Sequence, residues 1–407
     1  MQTLKLTKKY EKYPEYKDSG VVWIGAIPTD WKVARAKNLF KKMNRPPLES
    51  DDIVTAFRDG TVTLRKNRRE DGFTMADKEI GYQRIEKGDL VIHGMDAFAG
   101  AIGVSDSDGK SSPVYSACLP IKGSDPRYHA YLLRLMSKSK YIFALAKGIR
   151  ERSTEFRFKE FSNLEISEPS IKEQTKISEY LDEKTLSIDQ IIEKKEKQII
   201  LLREKRSAAI NYAVNEVGGN TEKLKYISPE RKTKLDTAPN NVSYIGLENI
   251  EGATGKIIES KEKSELESSV NMFKKGDVLF GKLRPYLAKV FAADFDGVCS
   301  GEFLTLIPKK TKVIPKYLFY KLISKDFIKA VDDSTYGTKM PRANWQFIGN
   351  QTLTYPLLDE QIKIAKSLDS RLAIFEQAIN KINQSIELLQ EFKYSLTSNV
   401  VTGKVKI

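Results

Sequence analysis

Cysteine and histidine are scarce in this sequence. Of 407 residues, two are cysteines and two are histidines. Cys118 and Cys299 stand far apart in apolar surroundings, so we expect reduced core residues and no disulfide framework. His93 and His129, without a cysteine pair, cannot supply the nitrogen and sulfur ligands of a usual zinc site. The sequence therefore predicts neither a zinc centre nor a fold stabilised by disulfides.

Long apolar runs are also missing. No stretch approaches the roughly 18 apolar residues that a membrane-spanning helix needs. The first residues are polar and lack the apolar segment and small-residue cleavage site of a secretory signal. We therefore expect a cytoplasmic protein, and a chain of 407 residues is long enough for two or three domains.

Sequence signatures of common enzymes are absent as well. There is no Gly-x-x-x-x-Gly-Lys-Ser/Thr loop for phosphate, and the glycines at 98–103 have the wrong spacing for a dinucleotide site. The Asn/Asp-Pro-Pro-Tyr/Phe tetrapeptide of amino-methyltransferases is missing, since the segment at 44–47 does not fit it. We expect a non-catalytic chain, although a nuclease built only from carboxylates stays open among 54 acidic residues.

Positive charge is in excess. Lys and Arg number 68 against 54 Asp and Glu, a formal net charge of +14. Such a balance favours an anionic partner such as nucleic acid, although charge alone does not select one.

The chain contains a long internal repeat. Glu173-Gln174 recurs 187 residues later as Glu360-Gln361, and this register continues without a gap for about 40 residues. The apolar residues of the first copy lie three, four and seven apart, which predicts a helix with a single apolar stripe. In order, the matched apolar positions are Ile177, Leu181, Ile188, Ile192, Ile199 and Leu202, and then Ile364, Leu368, Phe375, Ile379, Ile386 and Leu389.

Each predicted helix has start and stop signals. Ser170 with Glu173 suggests a capping box, and Asp359 suggests an N-cap for the second helix. Glycines at 218–219 and at 403 mark the ends. About 40 residues at 1.5 Å each make a rod of roughly 60 Å, and its stripe needs a partner. We expect an antiparallel coiled-coil pair, with two core helices of one large domain as the alternative.

The segments before the helices share a weaker frame. The turn and apolar run at 88–92 correspond to those at 276–280, and Pro126-x-Tyr128 corresponds to Pro315-x-Tyr317. Runs at 61–64, 90–93, 278–280 and 303–307 are typical of strands between Gly, Asp and Pro turns. Each half should hold a mixed α/β domain with a strongly bent sheet.

Two domains with one frame but different surfaces, each followed by a similar helix, suggest two different readers held at a fixed separation. DNA fits this geometry, because half-sites on one face of a duplex lie about one turn, roughly 34 Å, apart. The sequence thus predicts an α+β protein with an internal pseudo-two-fold repeat. Its parts are a first target-recognition domain (1–169), a first spacer helix (170–217), a second target-recognition domain (218–356) and a second spacer helix (357–407).

Clusters of cations fall on loops beside strands in both halves. Such side chains neutralise phosphates, and an arginine can bind the two acceptors on the major-groove edge of guanine. For any single residue, a solvated surface position remains the alternative. The candidate DNA-binding residues are Arg58, Arg65, Lys66, Arg68, Arg69, Asp96, Arg150, Arg152 and Arg157 in the first half, and Lys282, Arg284, Tyr286, Lys339 and Arg342 in the second.

One loop differs in charge between the halves. Aligned through the Gly-Asp turns, Lys282, Arg284 and Tyr286 fall opposite Gly94, Asp96 and Phe98, respectively. Aspartate accepts hydrogen bonds from the amine of cytosine, whereas arginine donates to guanine. We therefore expect the two halves to read unlike sequences.

Several motifs together resemble the specificity subunits of type I restriction-modification systems. They are Tyr-Pro-Glu-Tyr-Lys-Asp-Ser-Gly at 13–20, Trp-Ile-Gly at 23–25, Ile-Pro-Thr-Asp-Trp at 27–31, the paired Pro-x-x-x-Glu-Gln helix starts, Lys-Leu-Arg-Pro-Tyr at 282–286 and Val-Thr-Gly at 401–403. The resemblance covers essentially the whole chain. The segment at 57–65 also resembles one recurrent version of the first recognition domain in that family.

This resemblance implies partners and a target. Members read a bipartite double-stranded DNA target with a nonspecific spacer, and they bind two modification subunits and two restriction subunits. The modification subunits use S-adenosylmethionine to methylate adenine at N6, and the restriction subunits translocate and cut DNA. S-adenosylmethionine, ATP and magnesium are thus expected in the partner subunits, with no cofactor in this chain. The helices are also expected to dock the modification subunits.

Two alternatives stay open at this point. One is a stand-alone DNA-modifying enzyme with fused recognition domains, which would need a cofactor or nuclease motif. The other is a coiled-coil scaffold that binds only proteins. Salt-dependent affinity for DNA distinguishes a DNA reader from the scaffold, because only phosphate contacts release counterions.

Overall fold

The computed structural model describes residues 10–68, 79–146, 155–236, 242–259, 269–335 and 339–407. Two compact units divide the chain: unit 1 comprises Met1–Glu193 and Ser385–Ile407, and unit 2 comprises Lys194–Gln384. Each unit holds one predicted recognition segment and parts of both long helices. No helix among the described residues is both long and apolar enough to cross a membrane.

The described residues of unit 1 form short strands, three short helices, the first part of one long helix and the last part of the other. A four-stranded sheet has the order β4-β11-β8-β9, and the other strands pair as β1-β2, β3-β12, β5-β6 and β7-β10, all antiparallel. The elements are β1 (Tyr16–Asp18), β2 (Ala26–Pro28), β3 (Lys32–Arg35), β4 (Phe40–Lys42), β5 (Val54–Ala56), β6 (Val62–Leu64), β7 (Gln83–Ile85), β8 (Leu90–His93), β9 (Ile102–Val104), β10 (Gly109–Ser111), β11 (Tyr115–Pro120), α1 (Pro126–Lys138), α2 (Tyr141–Leu145), α3 (Phe158–Ser162), β12 (Glu165–Glu168) and α4 (Ile171–Asn215).

Unit 2 repeats this plan with its own strands. Its sheets have the orders β14-β16-β19-β15, β18-β17-β20 and β13-β21, and only the β15-β19 pair is parallel among the described strands. The elements are β13 (Asn220–Lys223), α5 (Leu224–Ile227), β14 (Lys234–Leu235), β15 (Tyr244–Ile245), β16 (Val270–Phe273), β17 (Val278–Gly281), β18 (Val290–Ala292), β19 (Gly297–Ser300), β20 (Phe303–Leu306), α6 (Pro315–Leu322), α7 (Lys325–Asp332), α8 (Trp345–Gly349), β21 (Thr352–Tyr355) and α9 (Leu358–Val401).

The predicted strands are confirmed as β6, β8, β17 and β20, but the single bent sheet predicted for each half is not what forms. The described strands are only two to six residues long. Turns and one-turn 3₁₀ helices interrupt the ladders after a few hydrogen bonds. The β structure of each unit is therefore divided among several small sheets.

The two long helices pair antiparallel within each unit, as the sequence predicts. In unit 1 the start of α4 packs on the end of α9, where Ile177 and Leu181 share a core with Leu396 and Val400. In unit 2 the end of α4 packs on the start of α9, where Ile210 and Val214 share a core with Leu368. Those cores also contain residues of α1 and α6, so the apolar stripe holds the recognition segment as well as the other helix.

The helix starts differ from their prediction. Ser170 Oγ accepts a hydrogen bond from Glu173 N at 3.3 Å, which is one half of a capping box. The Glu173 carboxylate instead accepts from Trp31 Nε1 at 3.1 Å and from Tyr13 Oη at 2.5 Å. The N-cap prediction for Asp359 is wrong, because α9 already begins at Leu358 and places that side chain inside the first turn.

The glutamine of each Glu-Gln pair explains why the pair is repeated. Gln174 and Gln361 are 1% and 0% exposed. Gln174 accepts from Asp125 N at 2.9 Å and donates to the Pro169 carbonyl at 2.9 Å. Gln361 accepts from Ile314 N at 3.0 Å and donates to the Pro356 carbonyl at 2.8 Å. Each glutamine thus ties the start of a long helix to the residue that precedes α1 or α6.

The opening and closing motifs of the chain meet in unit 1. Trp31 is fully buried, and its ring centroid lies 5.9 Å from that of Tyr13. Gly403 follows α9 with φ +71°, and a Cβ atom there would lie 2.5 Å from Pro28 Cδ. Only glycine fits this left-handed, close-packed position. The motifs at 13–31 and 401–403 therefore form one packed joint.

Both cysteines are free and fully buried, as predicted, and His129 is fully buried as well. Its ring packs edge-on against Phe40 and Tyr128, with centroids at 4.9 and 5.1 Å. Burial lowers the pKa of His129 from 6.5 to about 3. The folded state therefore keeps this imidazole neutral at pH values where the unfolded chain takes up a proton.

This burial predicts that unit 1 loses stability in mild acid. Above about pH 6.5 the histidine is neutral in both states, and below it only the unfolded state is protonated, which costs about 1.4 kcal/mol at pH ~5.5. We expect a His129→Phe variant to lose correspondingly less stability between pH ~7.5 and ~5.5. Urea unfolding followed by tryptophan fluorescence measures this. An equal acid loss in both proteins would contradict the prediction.

Candidate nucleic-acid interface

Two Gly-Asp turns give both units the same starting frame. Asp89 receives two hydrogen bonds from the Arg45 guanidinium, at 2.6 and 3.2 Å, and Asp277 receives two from Arg231, at 2.8 and 3.1 Å. Both carboxylates are almost fully buried. The two arginines are structural partners that sequence reasoning missed, because nothing local links them to aspartates 44 and 46 residues away.

One loop follows the strand after each turn. The first loop (residues 94–100) contains the 3₁₀ helix Ala97–Ala99, and the second loop (residues 282–288) contains Pro285–Leu287. Gly94 N donates to Val114 O at 3.0 Å, and its carbonyl accepts from Phe156 N at 2.9 Å. Lys282 makes the same two backbone bonds, to Glu302 O at 2.8 Å and from Ala343 N at 3.1 Å. The alignment of the two loops predicted from the sequence is thus confirmed.

Four cationic residues lie near one another in and beside the second loop. Arg284 N donates to Pro341 O at 2.8 Å, and Leu283 bridges to Arg342, so residues 339–343 lie against the loop. Lys282, Arg284, Lys339 and Arg342 are brought together in this way, and we call them the basic cluster. Tyr286 and Met340, whose side chains are each 52% exposed, belong to the same two segments as the basic cluster. Sequence reasoning missed Met340.

The members of the basic cluster differ in their partners. The Arg342 guanidinium donates two hydrogen bonds to Glu302, at 2.8 and 3.2 Å. Arg284 Nη2 lies 3.5 Å from Lys339 O, while its buried Nε has no partner among the described residues. Within the described part of the chain, the ammonium groups of Lys282 and Lys339 also have no hydrogen-bond acceptor. These two ammonium groups are the ones available for phosphate.

The first loop presents an ion pair. Arg58 Nη2 donates to Asp96 Oδ1 at 2.8 Å, and Asp96 N donates to His93 Nδ1 at 3.0 Å. Burial lowers the pKa of His93, which leaves this ring nitrogen as an acceptor. Arg157 lies close to the first loop, because a Cβ atom added at Gly94 would be 3.9 Å from the Arg157 Cγ atom. It pairs with Glu155 at 2.6 Å.

The other candidates of the first half lie on and after the β5-β6 hairpin, and they contact neighbouring side chains. Lys66 pairs with Asp52 at 2.5 Å, and Arg65 Nε donates to Thr55 Oγ1 at 3.2 Å. Arg68 pairs with Asp59 at 2.6 Å and stacks over the Phe57 ring at 4.3 Å. Arg69, Arg150 and Arg152 lie outside the described residues.

Each unit contains a recognition segment that packs on the paired long helices, and the two segments share the same backbone bonds at one loop. These features define a DNA-recognition protein with two recognition segments. The family described as Type I restriction modification DNA specificity domain matches residues 219–388. The EcoDI specificity subunit of the Escherichia coli type I restriction enzyme is 22% identical over 320 residues, 67% of this chain and 71% of the relative. The MjaVIII specificity subunit of Methanocaldococcus jannaschii is 22% identical over 417 residues, 94% of each chain.

Solved structures share the fold. One solved structure is described as the structural basis of complex assembly and conformational transition of the type I R-M system. Its chain matches with a TM-score of 0.69 at 13% identity, covering 92% of this chain and 98% of that one. The HsdS subunit from Thermoanaerobacter tengcongensis has a TM-score of 0.52 at 14% identity, covering 93% and 98%. Residues 219–388 therefore belong to the family of type I restriction-modification DNA specificity domains, and the whole chain has the fold of the specificity subunits. This chain is a non-catalytic DNA-recognition subunit.

The basic cluster predicts how binding responds to salt. Removing the charge of Lys282 in a Lys282→Gln variant leaves its two backbone bonds in place and removes one cation from phosphate. We expect affinity to fall similarly for all DNA sequences and the slope of log affinity against log salt to shrink by about 0.9. Fluorescence anisotropy of labelled duplexes with the assembled complex measures both quantities.

Lys310 provides a matched control. It is exposed and follows Leu306, the end of β20 that pairs with Val278 at the start of β17, whereas the second loop follows Gly281 at the other end of β17. A Lys310→Gln variant should keep the parental slope. Equal slopes for the Lys282 and Lys310 variants would exclude a phosphate contact at Lys282.

Proposed function

We propose that the first and second loops read the two halves of a bipartite DNA target, one half each. The observation that carries this proposal is the pair of backbone hydrogen bonds that both loops share, combined with different side chains. Unit 1 offers an Arg58–Asp96 pair, and unit 2 offers Arg284 within the basic cluster. An aspartate accepts from cytosine and an arginine donates to guanine, so equivalent positions can select unlike base pairs.

We further propose that two modification subunits dock on the long helices and that two restriction subunits complete the complex. Leu201 on α4 and Leu388 on α9 support the docking, because they occupy equivalent positions of the repeat and are 56% and 65% exposed. S-adenosylmethionine, ATP and magnesium then serve the partner subunits. The expected cytoplasmic location remains a prediction.

Exchanging the loop residues tests the recognition proposal. Gly94 must stay, because a Cβ atom there would lie 2.9 Å from the Val114 carbonyl oxygen. The exchange is therefore limited to Asp96→Arg in unit 1 and Arg284→Asp in unit 2. We expect each single variant to change the recognised bases in one half of the target only, with a loss of about 1–3 kcal/mol for the original base pair.

Mapping methylated adenines in a host that carries each variant with its partner subunits reads out both halves at once. Lys310→Asp makes the same charge change as Arg284→Asp, away from the loop, and should leave the methylated sequence unchanged. An unaltered target in both loop variants would refute recognition by these loops.

Replacing the exposed leucines tests the docking proposal. A charge placed in an apolar interface is poorly solvated, so Leu201→Asp and Leu388→Asp should each release one modification subunit. Native mass spectrometry of the complex should show one subunit lost per variant and two lost in the double variant. Leu201→Met and Leu388→Met keep the apolar surface and serve as controls. A double Asp variant of full mass would disprove docking at these positions.

A further inference from the structure

The second loop has an unusual backbone. Among the described residues, five non-glycine residues have positive φ, and three of them, Ala253, Arg284 and Ala288, lie in or against this loop, at +59°, +50° and +49°. The left-handed region is unfavourable for residues with a Cβ atom, so surrounding contacts must hold it. The equivalent of Ala288 in the first loop is Gly100, with φ +98°, which adopts this region without strain.

A chain of hydrogen bonds links this backbone to a helix. Ala253 N donates to Ala288 O at 2.9 Å, and Leu287 N donates to Arg284 O at 2.9 Å. From α4, Arg206 Nη2 donates to the carbonyl oxygen of Ala253 at 2.7 Å. The Arg206 guanidinium therefore binds Ala253, and Ala253 in turn binds Ala288 at the end of the second loop.

Arg206 is itself held in place. Its side chain is 11% exposed, and its Nε lies 3.6 Å from Glu376 on α9. The same carboxylate binds Lys256 at 2.8 Å, three residues beyond Ala253. A cavity of about 410 Å³ adjoins the guanidinium, so packing alone does not fill the space between α4 and the segment at 251–254.

Unit 1 is arranged differently among its described residues. The segment at 58–60, which lies against Gly100 of the first loop, is bonded from α1 instead, where Arg134 Nη1 donates to Asp59 O at 3.2 Å. Lys393, which matches Arg206 in the repeat, gives its ammonium to Asp189 at 2.6 and 2.7 Å. The first loop has glycine at its left-handed position, Gly100, which adopts φ +98° without strain. The difference makes the contribution of Arg206 specific to one half of the target.

We propose that Arg206 is a positioning residue that fixes the second loop in the conformation from which Arg284 and Tyr286 meet DNA, and thereby sets discrimination at the half-site read by unit 2. This inference rests on the proposed function of the loops. It concerns a residue that contacts neither base nor phosphate and acts through the backbone of Ala253 and Ala288.

Four variants test the role of Arg206 in the assembled complex. Arg206→Met removes the hydrogen bond, Arg206→Lys retains a donor, and Arg203→Met makes the same change one turn earlier, at an exposed residue with no hydrogen bond among the described residues. Lys393→Met changes the matching position of unit 1. Methylation rates are measured on duplexes with single base changes in either half, and the half altered by Arg284→Asp is assigned to unit 2.

Arg206→Met should lower discrimination in the unit 2 half by about tenfold, within the range that one good base contact supplies. Discrimination in the other half should stay within about twofold, as expected for independent sites. Arg206→Lys should restore most of the loss, and Arg203→Met and Lys393→Met should match the parent. Equal losses in both halves, or no loss, would overturn the proposal.

Hydrogen exchange gives a second readout that does not depend on activity. Amides at 282–290 should exchange faster in Arg206→Met than in Arg203→Met, while the rest of unit 2 is unchanged. Faster exchange throughout unit 2 would mean that Arg206 only supports folding, and this would also overturn the proposal. If Arg284→Asp alters neither half of the target, recognition by the loop fails, and the exchange data still decide whether Arg206 positions it.

Discussion

The two buried glutamines at the helix starts are the constraint on which each unit depends. A buried amide that leaves its oxygen or its N–H groups unpaired costs about 1–3 kcal/mol, so both ends must be satisfied. Gln174 and Gln361 satisfy them with the proline carbonyl behind the long helix and the backbone N–H before α1 or α6. Helix and recognition segment are thereby set in one relative position in each unit, and the cores around α1 and α6 consolidate it.

The two units share backbone features but differ in the exposed side chains that those features carry. The Gly-Asp turns, the arginine partners of their aspartates and the two backbone bonds of each loop have equivalents in both units. The aspartate side chains are 1% and 4% exposed and the arginine side chains 15% and 19%, so the ion pairs are mostly shielded from solvent. The exposed side chains are carried on that frame and are not needed for it, so Asp96 and Arg284 can differ. The backbone differs at this position too, with φ −114° at Asp96 and +50° at Arg284.

The sequence predicts the long helices, their antiparallel pairing and the loop alignment because these follow from periodicity and a repeat. It does not predict contacts between distant positions. Glu173 suggests a capping box locally, yet Tyr13 and Trp31 compete for its carboxylate across 160 and 142 residues. The partner of Asp96 stands 38 residues away, and that of Arg342 stands 40 residues away. Local patterns carry no information about either, so a candidate list from sequence cannot distinguish paired cations from unpaired ones.

Pairing changes what those cations can contribute. An exposed ion pair such as Arg58–Asp96 is worth about 0–1 kcal/mol, so DNA can replace or share it at little cost. Immobilising a long side chain on binding costs about 0.5–1.5 kcal/mol, and a pair that already aligns the guanidinium reduces this cost. Arg342, held by Glu302, and Arg58, held by Asp96, are thus preorganised for directional contacts. Lys282 and Lys339 carry mobile point charges, which suit the phosphate backbone. Within unit 2, the basic cluster therefore contains an arginine that orients, Arg342, and two lysines that attract, Lys282 and Lys339.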